Sequence, residues 1–163
     1  MTSRAPKKTR DWRRIARGAL FTFAALVALF VTAVLVMASA WPTLQRVEAG
    51  KSLAYPDLKP RTYQLGYDRV YDESLAAAKD QEGWVVTQES RATGQITAEA
   101  QMPVTGWRHK VEVSVQKRSP FVSRVYAASE GHDAPGDLGQ NARNLRAYFE
   151  SLDKRLGAAR VGE

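Results

Sequence analysis

The densest run of chemistry-bearing side chains is Glu130-Gly131-His132-Asp133-Ala134-Pro135-Gly136-Asp137, with Gly139, Asn141 and Arg143 close behind it. Glu130, His132 and Asp133 are of the types that hold Zn²⁺ or another divalent ion. One histidine and no cysteine fall short of a closed zinc set, and an Asp- and Gly-rich stretch before a helix is ordinarily a capping turn. Asp137 as helix cap, accepting backbone N–H bonds near Gly139 or Gln140, accounts for the same residues without a ligand. Asn141 and Arg143 then fall in the first helical turns, where they could bond the neighbouring loop or contact a partner or ligand. No cofactor is expected.

Nucleophilic catalysis has thinner support. Ser123 and Ser129 could be matched with His109 or His132 and with Asp133, yet neither serine is flanked by the glycines of a nucleophile elbow. His109 alternates with Val111, Val113 and Val115, which makes it a core or core-edge histidine bonded by a neighbour. Trp84 and Trp107 stand at strand starts as sheet anchors, although an aromatic-lined pocket would use the same residues. The chain has no cysteine, which excludes disulfides, thiolate catalysis, iron–sulfur ligation and lipoprotein acylation. No glycine-rich phosphate loop or dinucleotide fingerprint is present.

The elements that must position these residues follow from periodicity. Leu138, Ala142, Leu145, Phe149, Leu152 and Leu156 step by four and three, which predicts a helix leading out of the polar loop. A second helix is expected over 67–82, with Asp68 as a possible cap, ending at Gly83. Between the helices, period-two segments at 84–89, 95–101, 107–116 and 121–128 are separated by breaks short enough for hairpins. The expected fold is α+β: a domain at 67–157 with a four-stranded antiparallel sheet flanked by two helices. Residues 42–66, with Pro42, Gly50, Pro56, Pro60 and Gly66 and no sustained apolar period, read as a stalk, and 158–163 as a C-terminal tail.

Residues 18–41 carry no charge and are long enough as a helix to cross a bilayer of roughly 30 Å. The first 17 residues hold seven of the chain's 24 Lys and Arg but one of its 17 Asp and Glu, so this basic tail is expected on the cytoplasmic side and the domain outside. The expected location is the inner membrane, single-pass, with a periplasmic C-terminal domain. Beyond the tail the charge is nearly balanced, which argues against a nucleic-acid partner. Ala38-Ser39-Ala40 has the form of a signal-peptidase site, but the apolar run exceeds the ~7–15 residues of a usual signal core.

Tyr55-Pro56, Pro60-Arg61, Gly83-Trp84, Gly94-Gln95-Ile96 and the segment Asp137-Leu138-Gly139-Gln140-Asn141-Ala142-Arg143 together resemble the domain-of-unknown-function family numbered 1499. The resemblance runs from Tyr55 to Leu156 and is most specific at Asp137, Gly139, Asn141 and Arg143. It implies a small envelope or organelle domain, often behind one or more membrane helices, and no activity. Relatives tend to be acidic where this chain has His109-Lys110, and carry Ser-Arg where it has Ser129-Glu130. That double reversal predicts Lys110 and Glu130 facing each other across the sheet as a swapped ion pair.

An anchor that confines the domain to two dimensions raises its effective concentration toward neighbours. The function expected is therefore an accessory or assembly subunit of a larger envelope membrane complex, its partners being the lipid bilayer and one or more membrane proteins. The alternative is a small-ligand or lipid-binding domain with a pocket ringed by Asn141 and Arg143. A hydrolase or metal-dependent enzyme lacks a constellation. A filled core with an exposed apolar patch favours the first class, an enclosed cavity the second.

Overall fold

A computed structural model describes residues 12–40, 45–102, 106–132, 137 and 139–161. The basic tail before Trp12, together with Asp133 and Leu138, lies outside the described residues. The chain divides into two compact units, residues 1–40 and 41–163.

The first unit is helix α1 (Trp12–Ala40). Its segment Ile15–Val36 is long and apolar enough to cross a membrane, and length and composition describe a signal sequence equally well. Apolar side chains cover it on every side, and none from residue 15 to 36 is buried. Its two threonines turn inward on their own backbone: Thr22 Oγ1 donates to the Gly18 carbonyl at 3.0 Å and Thr32 Oγ1 to Ala28 at 2.9 Å. Neither hydroxyl then needs a partner from an apolar surrounding.

The second unit runs β1 (Arg46–Glu48), β2 (Arg61–Tyr63), α2 (Tyr67–Lys79), β3 (Trp84–Ser90), β4 (Gln95–Gln101), β5 (Arg108–Ser119), β6 (Val122–Gly131), α3 (Gln140–Leu156) and a 3-10 turn (Gly157–Ala159). The sheet is antiparallel with order β1-β6-β5-β4-β3, and β2 also pairs with β6. It has six strands, not the four expected. The extra two come from the segment read as a stalk. Glu48 to Arg46 pair with Ala128 to Glu130, and Arg61 to Tyr63 pair with Val125 to Ser123, so both short strands share one edge of β6. Each drives one large side chain into the core, Val47 and Tyr63, both fully buried. Ala49, Tyr55 and Leu58 between them are buried as well.

Helices α2 and α3 cover one face of the sheet. Ile96, Val111, Val113, Val115 and Val125 point to Val70, Tyr71, Leu145, Phe149 and Leu152 in one continuous core. Fully burying each such side chain is worth about 1.5–3 kcal/mol relative to exposure. The alternation expected for β5 is seen: His109 and the three valines are buried, and Arg108, Lys110 and Gln116 are exposed. Helix α2 ends at Lys79, before the expected Glu82, and Asp68 lies in its first turn instead of capping it. The β3–β4 turn closes against β5 at Gly94, which has φ +73°; an added Cβ would stand 2.2 Å from the Val115 carbonyl oxygen, so only glycine fits.

The proposed Lys110–Glu130 ion pair does not form, although the two residues are opposite in register. Lys110 Nζ pairs with Glu112 at 2.6 Å, and Glu130 pairs with Arg46 at 2.8 Å. Arg46 also reaches Glu112 at 3.0 Å. Strand β1 delivers a guanidinium that bridges both carboxylates, and it is planar and bidentate where a lysine is a single point charge.

Candidate functional site

Asp137, Gly139 and Asn141 converge where β5, β6 and the start of β1 meet α3. Gly139 takes φ +77°, a left-handed conformation that turns the chain into the helix. The buried carboxylate of Asp137 accepts from Gly139 N through Oδ1 at 3.0 Å and from Asn141 N through Oδ2 at 2.8 Å. These bonds satisfy first-turn donors of α3 and set an anion at its positive end. The N-cap position is Gly139 and not the expected Asp137, whose carboxylate reaches the helix start from two residues upstream, with Asn141 N as its donor inside α3.

Asn141 is fully buried, and its orientation follows from its partners. The Gln45 carbonyl can only accept, so Asn141 presents Nδ2 to it at 3.0 Å. Oδ1 therefore faces Ser129 Oγ at 2.9 Å and His109 Nδ1 at 3.0 Å. Ser129 Oγ in turn accepts from Asn144 Nδ2 at 3.3 Å, Asn144 Oδ1 from Gln140 Nε2 at 2.8 Å, and Gln140 Oε1 from Arg143 Nη2 at 2.9 Å. One directed chain of hydrogen bonds leads from exposed Arg143 to buried Asn141. His109 stands at its inner end.

Because Asn141 Oδ1 is an acceptor, Nδ1 of His109 carries a ring proton, and with one ring proton Nε2 is an acceptor. Among the described residues the buried Nε2 has no hydrogen-bond partner. His109, 1% exposed, lines a half-open cleft of about 210 Å³ between the sheet and the starts and ends of the two helices. Trp84, Gln81, Gln101, Gln140 and Asn144 share that lining. The Trp84 ring lies parallel to Tyr148 behind it, with centroids 6.3 Å apart and planes 10° apart. Burial pushes the Tyr148 hydroxyl above the ordinary phenol range, so it supplies no base.

The remaining candidates do not gather. Glu130 is held by Arg46, and His132 is exposed beside a second half-open cleft of about 250 Å³, lined also by Arg108, His109, Lys110 and Glu99. Asp133 lies outside the described residues. Among the described residues no three of His, Asp or Glu stand together as a metal set. Ser123 is fully buried and donates to the Leu65 carbonyl at 3.1 Å, and Ser129 is spent on Asn141, so neither offers a nucleophile. Sequence reasoning placed His109 correctly in the core but missed that Asn141, 32 residues away, is the neighbour that bonds it.

A different feature appears at the far end of β5 and β6. The hairpin is longer than expected and turns at Pro120-Phe121, leaving Phe121 78% exposed at its tip. Lys117 and Arg118 flank it, both exposed. Among the described residues no carboxylate pairs with either one, whereas Arg46, Arg61, Arg91, Arg146, Arg155 and Arg160 each face at least one. Arg118 is held in place by Tyr126, whose hydroxyl accepts from Nη2 at 2.6 Å.

Comparison with curated proteins gives no match. The family model described as "Protein of unknown function (DUF1499)" matches residues 36–152, from the end of α1 through most of α3. With the greater part of its length matched, the chain belongs to the DUF1499 family.

Proposed function

We propose that this chain is a membrane-anchored accessory or assembly subunit of a larger envelope membrane complex. Its N-terminal tail is cytoplasmic, α1 spans the inner membrane, and the α+β domain works on the periplasmic side as a docking module. The observation that carries the reading is the β5–β6 tip, where Phe121 is 78% exposed and, among the described residues, no carboxylate pairs with Lys117 or Arg118. An exposed aromatic beside uncompensated cations suits a protein surface that offers an apolar socket rimmed by Asp or Glu. Arg143, exposed among the described residues of the Asp137–Arg143 motif, is a second contact point under the same reading.

The test is photocrosslinking of the full-length protein in its own membranes, with p-benzoylphenylalanine at position 121 and, as control, at Leu53, which is 96% exposed. The expected result is one protein adduct from position 121, with an acidic crosslinked peptide, at least tenfold weaker in a Lys117→Glu/Arg118→Glu background. Adducts to lipid alone, or equal labelling from both positions, would overturn the reading.

A further inference from the structure

We infer that the cleft at His109 is a small-molecule site for a planar, single-ring compound carrying a hydrogen-bond donor on its edge, as a phenol does. This inference is independent of the docking reading and uses a different end of the domain.

Three observations carry it. The first is the bare acceptor. Asn141 fixes a proton on Nδ1, and Nε2, buried, has no hydrogen-bond partner among the described residues. A buried acceptor left without a donor is destabilising, and a bound donor removes that cost. The second is shape. A volume of about 210 Å³ suits one six-membered ring with its substituents, and Trp84, backed by Tyr148, supplies a flat wall for it. The third is the lining. Gln81, Gln101, Gln140 and Asn144 bring amides, which both donate and accept, and so suit a polar ring edge better than a hydrocarbon. Nε2 is closed to bulk solvent, so donation to it requires the side chains around His109 to shift as the ring binds.

A histidine that held only a structural place in the core would show the same Nδ1–Asn141 bond but no preference among entering molecules. The two readings separate in solution. The chain has two histidines, so long-range ¹H–¹⁵N spectra of the ¹⁵N-histidine-labelled full-length protein in detergent resolve His109 once a His132→Gln variant assigns the other. Nδ1 of His109 should appear protonated and Nε2 unprotonated. Phenol is the probe and toluene, of the same shape without the donor, is its control. Phenol should move the Nε2 resonance saturably and bind about tenfold tighter than toluene, the worth of one neutral hydrogen bond. Trp84→Ala should weaken phenol binding several-fold with the tautomer unchanged. Equal responses to phenol and toluene, an Nε2 signal that phenol leaves unmoved, or an Nε2 found protonated would each overturn the proposal. The last two would assign the nitrogen to a buried water.

Discussion

Strands β5 and β6 carry opposite chemistry at their two ends. At the end where α3 begins, Asp137, Asn141, Ser129 and His109 are buried, and nearly every donor and acceptor is matched by the protein itself. At the hairpin end, Lys117, Arg118 and Phe121 are exposed, and among the described residues no carboxylate pairs with either cation. The difference separates two uses of polar side chains. Those at the first end bond one another inside the fold, and those at the second stand at the surface.

Mutation should break this contrast most sharply at Asn141. Asn141→Ala strands His109 Nδ1, Ser129 Oγ and the Gln45 carbonyl inside the protein, and the expected loss is about 3 kcal/mol or more, read from urea unfolding of the full-length protein in detergent. Asp137→Ala removes two bonds at the start of α3 and should cost about 1–2 kcal/mol by the same measurement. Phe121→Ser and Lys117→Glu/Arg118→Glu should each shift stability by less than about 0.5 kcal/mol, and the charge reversal should weaken the crosslink from position 121 at least tenfold. A tip variant as damaging as Asn141→Ala would erase the distinction between the two ends.

The smallest effect expected is electrostatic and depends on pH. Hydrogen bonds from Lys110 and then Arg46 hold the Glu112 carboxyl below its ordinary value of 4.5. A carboxyl depressed in the folded state contributes stability that is fully present above its unfolded pKa and is lost as pH falls through the folded one. Acid titration of unfolding should therefore show a loss beginning below about pH 4.5 that Glu112→Gln reduces. Because the three side chains are each a third or more exposed, the change should stay below about 1 kcal/mol and shrink in high salt.

Much of the layer structure is legible in the sequence because it rests on local repetition. The alternation of Val111, Val113 and Val115 fixes the face of β5, and Leu145, Phe149 and Leu152 fix that of α3. Asp137 before Gly139 announces the helix start through the ordinary chemistry of a cap. What escaped reading is non-local. Strands β1 and β2 are three residues long, each contributes one inward side chain, and their partner β6 lies 60 or more positions further along, so no period betrays them. Asn141 pairs with His109 and Gln45 across 32 and 96 positions, and a single asparagine carries no sequence signal for either contact. The tip was hidden for a different reason: Lys117-Arg118-Ser119-Pro120 has the composition of a loop, yet β5 continues through Ser119.

The Gln45 carbonyl accepts two hydrogen bonds, from Asn141 Nδ2 and from Gly131 N at 2.9 Å, at the point where the chain coming from α1 joins the domain. In mechanical terms these two bonds fasten the first described residue ahead of β1. A pull along the chain loads those two bonds before it reaches β1, and the side chain that bears it is the one that sets the proton on His109. Tension would thus register first as a change in the hydrogen bonding of a buried imidazole, ahead of any loss of secondary structure.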